Sequence, residues 1–137
     1  MSQPDILLVD DDEDILEVGI AALRAAGFEP LPAISADVAL VLLEEGLNFE
    51  LLITDVVMPG TLDGFALARR ARDLRPGLRI IYTTGYAGAA SIRSPGAPFG
   101  ETLVKPWRID DLVGAARRAL RPEPALTARE QRPFKIA

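Results

Sequence analysis

The 137-residue chain contains no cysteine and no histidine. Disulfides, thiolate nucleophiles and cysteine-based zinc sites are therefore excluded, as are serine–histidine hydrolases and histidine-ligated metals. No apolar run approaches the roughly 20 residues that cross a bilayer, and residues 1–5 do not resemble a signal peptide, so we expect a cytoplasmic protein with no membrane partner. The net charge of −5 disfavours binding to nucleic acid. Chemistry is left to carboxylates, hydroxyls, lysine, arginine or a hard metal ion.

Apolar runs alternate along the chain with segments in which apolar residues recur at helical spacing. The runs predict strands at residues 5–9, 29–33, 51–54, 79–84 and 102–105. The helical segments are 16–26, 35–46, 64–74 and 109–120, with Ser35 as the N-cap of the second. Such alternation predicts an α/β fold, a doubly wound parallel sheet with helices on both faces.

Two stretches depart from this alternation. Glycine and proline interrupt residues 85–101, so the helix at about 87–93 is predicted to be short or disordered. Pro122 and Pro124 follow the last helical segment, and residues 121–137 have a local charge of +2 and few apolar side chains. We therefore predict one domain over residues 1–121 and a flexible C-terminal tail over residues 122–137.

Polar side chains stand where the predicted strands end: Asp10, Asp11 and Asp12 after the first, Asp55 after the third, Thr83 and Thr84 on the fourth, and Lys105 on the last. Singly, each is typical of a turn, a helix start or a surface position. Parallel strands, however, bring their carboxyl ends to one edge of a sheet, where ligand crevices lie. Clustered carboxylates need a cation, and oxygen ligands suit Mg²⁺. The residues predict a magnesium-dependent site that accepts a phosphoryl group on an aspartate.

Four sequence blocks carry these residues: LLVDDD at 7–12, LLITDVVMPG at 51–60, YTTGY at 82–86 and LVKPW at 103–107. In order and spacing they resemble the receiver domain of bacterial two-component response regulators, in particular single-domain regulators of the chemotaxis type. The resemblance covers about residues 5–120. It implies a flavodoxin-like sheet of five parallel strands in the order 2-1-3-4-5, and it identifies residues 1–121 as the receiver domain.

The resemblance also implies the ligands of the metal. Asp11 would bind Mg²⁺ directly, and Asp10 would support it mostly through water. Asp55 and the backbone carbonyl of Val57 would complete the protein's share of the ligands. Asp12 would be a spectator, because the family uses the first two acids after the strand.

The resemblance further implies which residues accept and contact the phosphoryl group. Asp55 would be the phosphoacceptor, Thr84 the switch hydroxyl that moves toward the phosphoryl group, and Lys105 its cationic partner, across a cis bond to Pro106. Thr102 stands where the family has an aromatic switch residue, which leaves that part of the switch in question. The glycine-rich segment 85–101 has two open interpretations, an order–disorder transition on occupation of the site or a mobile loop.

The function implied is that of a receiver in a phosphorelay, not a turnover enzyme. It would accept a phosphoryl group from a histidine kinase or phosphotransfer protein and signal by a conformational change that alters binding of an output protein, as a monomer or weak dimer. The receiver segment of a hybrid histidine kinase or a phosphate sink is the alternative; the start at Met1 and the tail weigh mildly against the former. An aspartate-nucleophile phosphatase needs an acid where Val57 stands, and a degenerate scaffold would lack site residues that are present here.

Two positions bear on the lifetime of the phosphorylated form. In the family that the chain resembles, the positions of Val57 and Tyr86 flank the route by which water reaches the acyl phosphate. Neither residue offers a carboxylate or amide that would orient an attacking water. We predict slow hydrolysis, with Tyr86 shielding the phosphoryl group. A solvent-facing Tyr86 is the alternative.

Overall fold

Five parallel strands form one sheet in the order β2-β1-β3-β4-β5. The structure is a computed structural model that describes residues 3–60, 62–85 and 100–120. The strands are β1 (Ile6–Val9), β2 (Pro30–Ala33), β3 (Leu51–Asp55), β4 (Arg79–Thr84) and β5 (Gly100–Val104). The described helices are α1 (Glu13–Ala25), α2 (Ala36–Glu44), α3 (Gly64–Leu74) and α4 (Ile109–Leu120). The predicted fold class and strand order are confirmed.

The sheet is covered by helices on both faces. Along β1, Leu7 and Val9 contribute to the core that contains the buried side chains of α2 and α3. Ile6 and Leu8 contribute to the core that contains those of α1 and α4. All four residues of β1 are buried, as expected of a central parallel strand with apolar side chains on both faces. The central strands therefore hold their carboxyl ends in fixed relative positions.

Polar side chains begin three of the helices. Asp12 is the N-cap of α1, so this helix begins at Glu13, three residues before the predicted apolar stripe. Ser35 caps α2, as predicted, and its hydroxyl accepts the amide hydrogen of Val38 at 3.1 Å. Asp63 caps α3. These caps satisfy amide groups that have no partner within the helix.

The last strand begins earlier than predicted. Gly100 pairs with Ile80, and β5 ends at Val104, one residue before Lys105. A Cβ atom at Gly100 would collide with the backbone carbonyl of Ile80, so glycine permits this pairing instead of breaking the strand. The helix predicted at 87–93 and the tail predicted at 122–137 lie outside the described residues. Among the described helices, none has the length and apolar character needed to cross a membrane.

Gly64 sets how closely α3 approaches the end of β3. Its amide donates to the carbonyl of Val56 at 2.8 Å, and a Cβ atom there would collide with the backbone of Asp55 and Val56. We predict that Gly64→Ala lowers the free energy of unfolding by about 1–3 kcal/mol through overpacking. Gly77→Ala is the control, because nothing lies within 4 Å of its added Cβ. Urea denaturation followed by circular dichroism measures both; equal stabilities would contradict the prediction.

Candidate functional site

The predicted site residues meet at the carboxyl edge of the sheet. Asp10 directly follows β1, and its amide extends the ladder by donating to Ala33 at 3.1 Å. Asp55 is the last residue of β3. The amide of Lys105 donates to the carbonyl of Thr84 at 2.7 Å. Backbone hydrogen bonds thus hold residues that are far apart in sequence at one edge of the sheet.

Three carboxylates form a compact cluster. Asp10, Asp11 and Asp55 each offer one oxygen, and these oxygens lie within 4.8 Å of one another. Asp10 and Asp55 are 2% and 5% exposed, whereas Asp11 is open to solvent. A partly open cluster of oxygen donors fits Mg²⁺, which binds through a few carboxylates and keeps several waters. Val57, the other predicted ligand, has a side chain that is 71% exposed; the role of its carbonyl stays a prediction.

Asp12 has a different task from its two neighbours. Its carboxylate accepts the amide hydrogens of Asp14 and Ile15 at 2.9 and 3.3 Å. Its own amide donates to the carboxylate of Asp10 at 2.9 Å. Asp12 therefore starts α1 and orients Asp10; its expected absence from the metal ligands stays a prediction.

Lys105 joins the two buried carboxylates. Its ammonium lies 2.8 Å from Asp10 Oδ2 and 3.1 Å from Asp55 Oδ2. The Lys105–Pro106 peptide bond is cis, as the resemblance implies. One cation thus contacts both acids at the distance of charge-assisted hydrogen bonds.

The electrostatics of the site follow from burial and from this pairing. Burial raises the pKa of Asp55 above its ordinary value; the contact with Lys105 partly offsets this, and Asp10 and Asp11 raise it further. Burial by itself would lower the pKa of Lys105, but Asp10 and Asp55 together outweigh it, so the pKa is raised. The lysine is therefore held in its charged form beside the acids.

Thr84 lies at the same edge, but its hydroxyl is hydrogen-bonded to the backbone just after β4 and not to a residue of the cluster. It is buried, and its hydroxyl donates to the carbonyl of Gly85 at 3.1 Å. Thr102 is opposite Tyr82 in the pairing of β4 with β5, so no aromatic ring occupies that position of β5. Tyr86, invoked for slow hydrolysis, lies outside the described residues, and that hypothesis stays a prediction.

Sequence reasoning missed the packing of Tyr82. This buried ring meets Phe65 of α3 edge-on, with centroids 5.1 Å apart. Its hydroxyl finds no hydrogen-bond partner among the described residues. Its position within the apolar run of β4 indicates that the ring is buried. The sequence does not indicate whether its hydroxyl has a partner, because that depends on neighbours from other elements.

An apolar pocket of about 520 Å³ adjoins Lys105. It is lined by α1 and by the segment that follows β5, with Ile15, Val18, Pro106 and Trp107 as its apolar walls. Lys105 therefore lines this pocket and also contacts Asp10 and Asp55 of the carboxylate cluster.

Comparison with known proteins adds to this geometry. A family model of the response regulator receiver domain matches residues 6–117. The response regulator receiver protein CpdR of Brucella abortus is 38% identical over 116 residues, which cover 84% of this chain and 95% of that protein. The sensor kinase CckA of the same organism is 34% identical over 118 residues, 84% of this chain but 12% of the kinase. The structure of TrrA from Thermotoga maritima in complex with Mg²⁺–BeF has a TM-score of 0.72 and 30% identity, covering 86% of this chain and 100% of that one.

The buried hydroxyl of Tyr82 should make the stability of the protein depend on pH. Burial raises the pKa of Tyr82 from 10.0 to about 12, so the folded protein holds a proton that the unfolded chain releases first. The free energy of unfolding should therefore fall as pH rises from about 10 to 12. Tyr82→Phe should remove this component. Since no described residue satisfies the buried hydroxyl, the variant should also be more stable at pH 7 by about 1 kcal/mol.

Urea unfolding of the parent and Tyr82→Phe at several pH values measures both effects. The difference between the two proteins should be constant below about pH 9 and grow above it. A variant less stable than the parent at pH 7 would show that the hydroxyl contributes a favourable contact.

Proposed function

This chain belongs to the response regulator receiver domain family, and we propose that Asp55 is the carboxylate on which it accepts a phosphoryl group. The phosphoacceptor role is that of the family. The assignment to Asp55 rests on one observation: this carboxylate ends a central strand between two acids, Asp10 and Asp11, and the ammonium of Lys105. It combines a nucleophilic oxygen with a place for a cation.

The transfer is an in-line displacement at phosphorus. A carboxylate oxygen of Asp55 attacks the phosphoryl group of a phosphohistidine, an acyl phosphate bond forms, and the phosphorus–nitrogen bond breaks with its electron pair left on the imidazole. Asp10, Asp11, Asp55 and the carbonyl of Val57 would hold Mg²⁺, which supplies positive charge to the phosphoryl oxygens. Positioning and charge neutralisation account for most of what this reaction needs.

In this proposal, Lys105 and Thr84 stabilise the phosphorylated form of the protein. Lys105 contacts Asp55 in the unphosphorylated protein and would pair with a phosphoryl oxygen once that carboxylate becomes an acyl phosphate. The Thr84 hydroxyl, which donates to Gly85, would turn to another phosphoryl oxygen. Because Thr84 ends β4 and accepts the amide of Lys105, the two movements are linked through the backbone.

The partners proposed are a histidine kinase or phosphotransfer protein as donor and an output protein that senses the change. The pocket beside Lys105 would receive apolar side chains of the donor. Reset by slow hydrolysis or back-transfer means that the chain is not a turnover enzyme, and Val57 supplies no acid for a phosphatase mechanism. We propose residues 1–121 as the receiver domain and residues 122–137 as a tail, in a cytoplasmic protein that is a monomer or weak dimer.

A second candidate is the receiver segment of a hybrid histidine kinase. It is favoured by the 34% identity to a segment that makes up 12% of the sensor kinase CckA. The site chemistry is the same in both cases, and the difference lies in whether the phosphoryl group goes on to a further carrier. A phosphate sink would differ only in having no output protein.

The acceptor assignment is tested by labelling with acetyl phosphate and Mg²⁺. We predict that Asp55→Asn abolishes incorporation, because an amide oxygen is a poor nucleophile and leaves no anionic ligand. Asp12→Asn is the matched control, since asparagine keeps the N-cap of α1. Intact-protein mass spectrometry reads the added phosphoryl group; labelling of Asp55→Asn at the parent's level would refute the assignment.

Magnesium binding tests whether Asp11 is a metal ligand and Asp12 is not. We predict that Asp11→Asn weakens Mg²⁺ binding by about tenfold or more, whereas Asp12→Asn changes it less than about threefold. The reason is that Asp11 belongs to the carboxylate cluster and Asp12 does not. The single tryptophan, Trp107, lies two residues from Lys105 and serves as a fluorescent reporter. Equal losses in the two variants would contradict the ligand assignment.

A further inference from the structure

A groove lies between α1 and the edge strand β2, and it has a volume of about 530 Å³. Its apolar lining comes from Leu16 and Ile20 of α1, from Pro32 of β2, and from Ile34 just after that strand. Leu16 is buried, whereas Ile34 is 53% exposed. The groove therefore has an apolar base and an exposed apolar wall. We call this surface the α1–β2 groove.

Carboxylates line the same groove. Glu13, Asp14 and Glu17 are exposed side chains of its lining, and Arg24 is the one cation among the described lining residues. Within the part of the chain that the structure describes, no cationic side chain forms an ion pair with these three carboxylates. The start of α1 thus presents negative charge beside apolar contact area.

The backbone edge of β2 has acceptors but no donors. The amide of Asp10 donates to the carbonyl of Ala33 at 3.1 Å, so Ala33 directs its backbone groups toward β1. Alternate residues of a strand direct theirs to opposite edges, which places the backbone groups of Pro30 and Pro32 at the free edge. Proline has no amide hydrogen. Only carbonyl oxygens are available there.

This edge excludes two kinds of occupant. An added strand needs amide donors as well as carbonyl acceptors along the edge, and Pro30 and Pro32 supply no donor. A second copy bound through the same face would oppose the carboxylates of one α1 to those of the other, which is unfavourable. The occupant must supply its own hydrogen-bond donors and positive charge.

A helix with basic side chains meets both requirements. Its backbone groups are satisfied within the helix, so it needs nothing from the edge of the sheet. Arginine and lysine side chains are donors without acceptors, and apart from Arg24 the polar groups described above are all acceptors. Apolar side chains on one face of such a helix would fill a groove of this kind.

We propose that the α1–β2 groove binds an amphipathic helix of a partner protein, with apolar side chains against Ile20 and Ile34 and basic side chains against Glu13 and Glu17. Asp14 lines both this groove and the pocket beside Lys105. A bound helix would therefore border the surface proposed for the phosphodonor without occupying it.

A synthetic peptide of about three helical turns, with leucine on one face and arginine on both flanks, is the probe. It is titrated into the unphosphorylated full chain, so the result does not depend on the acceptor assignment at Asp55. We expect the largest amide shifts in the NMR spectrum at Glu17, Ile20 and Ile34, with none at Ile109, and a gain of helical circular dichroism by the peptide. A control peptide with glutamate in place of arginine should bind at least about tenfold more weakly. Shifts spread over the whole surface, or a peptide that binds in an extended form, would overturn the proposal.

Matched variants separate the groove from general attraction to an acidic protein. Glu17→Gln and Glu45→Gln each remove one exposed carboxylate, but only Glu17 lines the groove. Ile34→Ser and Val38→Ser each shorten an apolar side chain, 53% and 42% exposed, and only Ile34 lines the groove. The groove variants should weaken binding of the arginine peptide by about fivefold or more, and the control variants by less than about twofold. Equal losses within either pair would overturn the proposal.

Discussion

Two carboxylates buried at one edge of a sheet require a cation, and Lys105 supplies it. Asp10 and Asp55 have almost no exposure to water, and isolated buried charges of one sign are strongly unfavourable. The ammonium of Lys105 contacts both at 2.8 and 3.1 Å. This pairing requires β5 to end beside β4, with the carboxyl ends of β1 and β3 alongside. The order of strands and the chemistry of the site therefore depend on each other.

The surrounding backbone keeps the acids in position. Asp12 caps α1 and orients Asp10 through its amide, so the first strand, the helix and the cluster share one local structure. On the other side, Gly64 lets α3 pack directly on the backbone at Asp55 and Val56. Groups held on strand ends and helix starts are more precisely placed than groups on loops, which suits a reaction governed by position and charge.

An apolar pocket lies next to the charged site. Lys105 lines this pocket and also contacts Asp10 and Asp55. In the proposed reaction, the apolar walls at Ile15, Val18 and Trp107 would receive side chains of the phosphodonor while its phosphoryl group meets Asp55.

Most of the architecture was predictable from the sequence, because periodicity and strand-ending acids are local signals. The strands up to Thr84 and the N-cap at Ser35 were predicted near their observed positions. The start of β5 was not, since composition marks Gly100 as a strand breaker. Only its neighbour Ile80 shows that a residue without a Cβ is required there.

For the site, too, some features were predictable from the sequence and others were not. Residue types and their order along the chain determined by themselves that three acids, a hydroxyl and a lysine would meet at one edge of a parallel sheet. The tertiary structure alone decided that Asp12 caps a helix while Asp11 joins the cluster, and that Lys105 contacts both Asp10 and Asp55. It also decided that the Tyr82 hydroxyl is buried without a partner among the described residues. Hydrogen bonds, burial and ion pairs join atoms from distant parts of the chain, and no local pattern of residues records those distances.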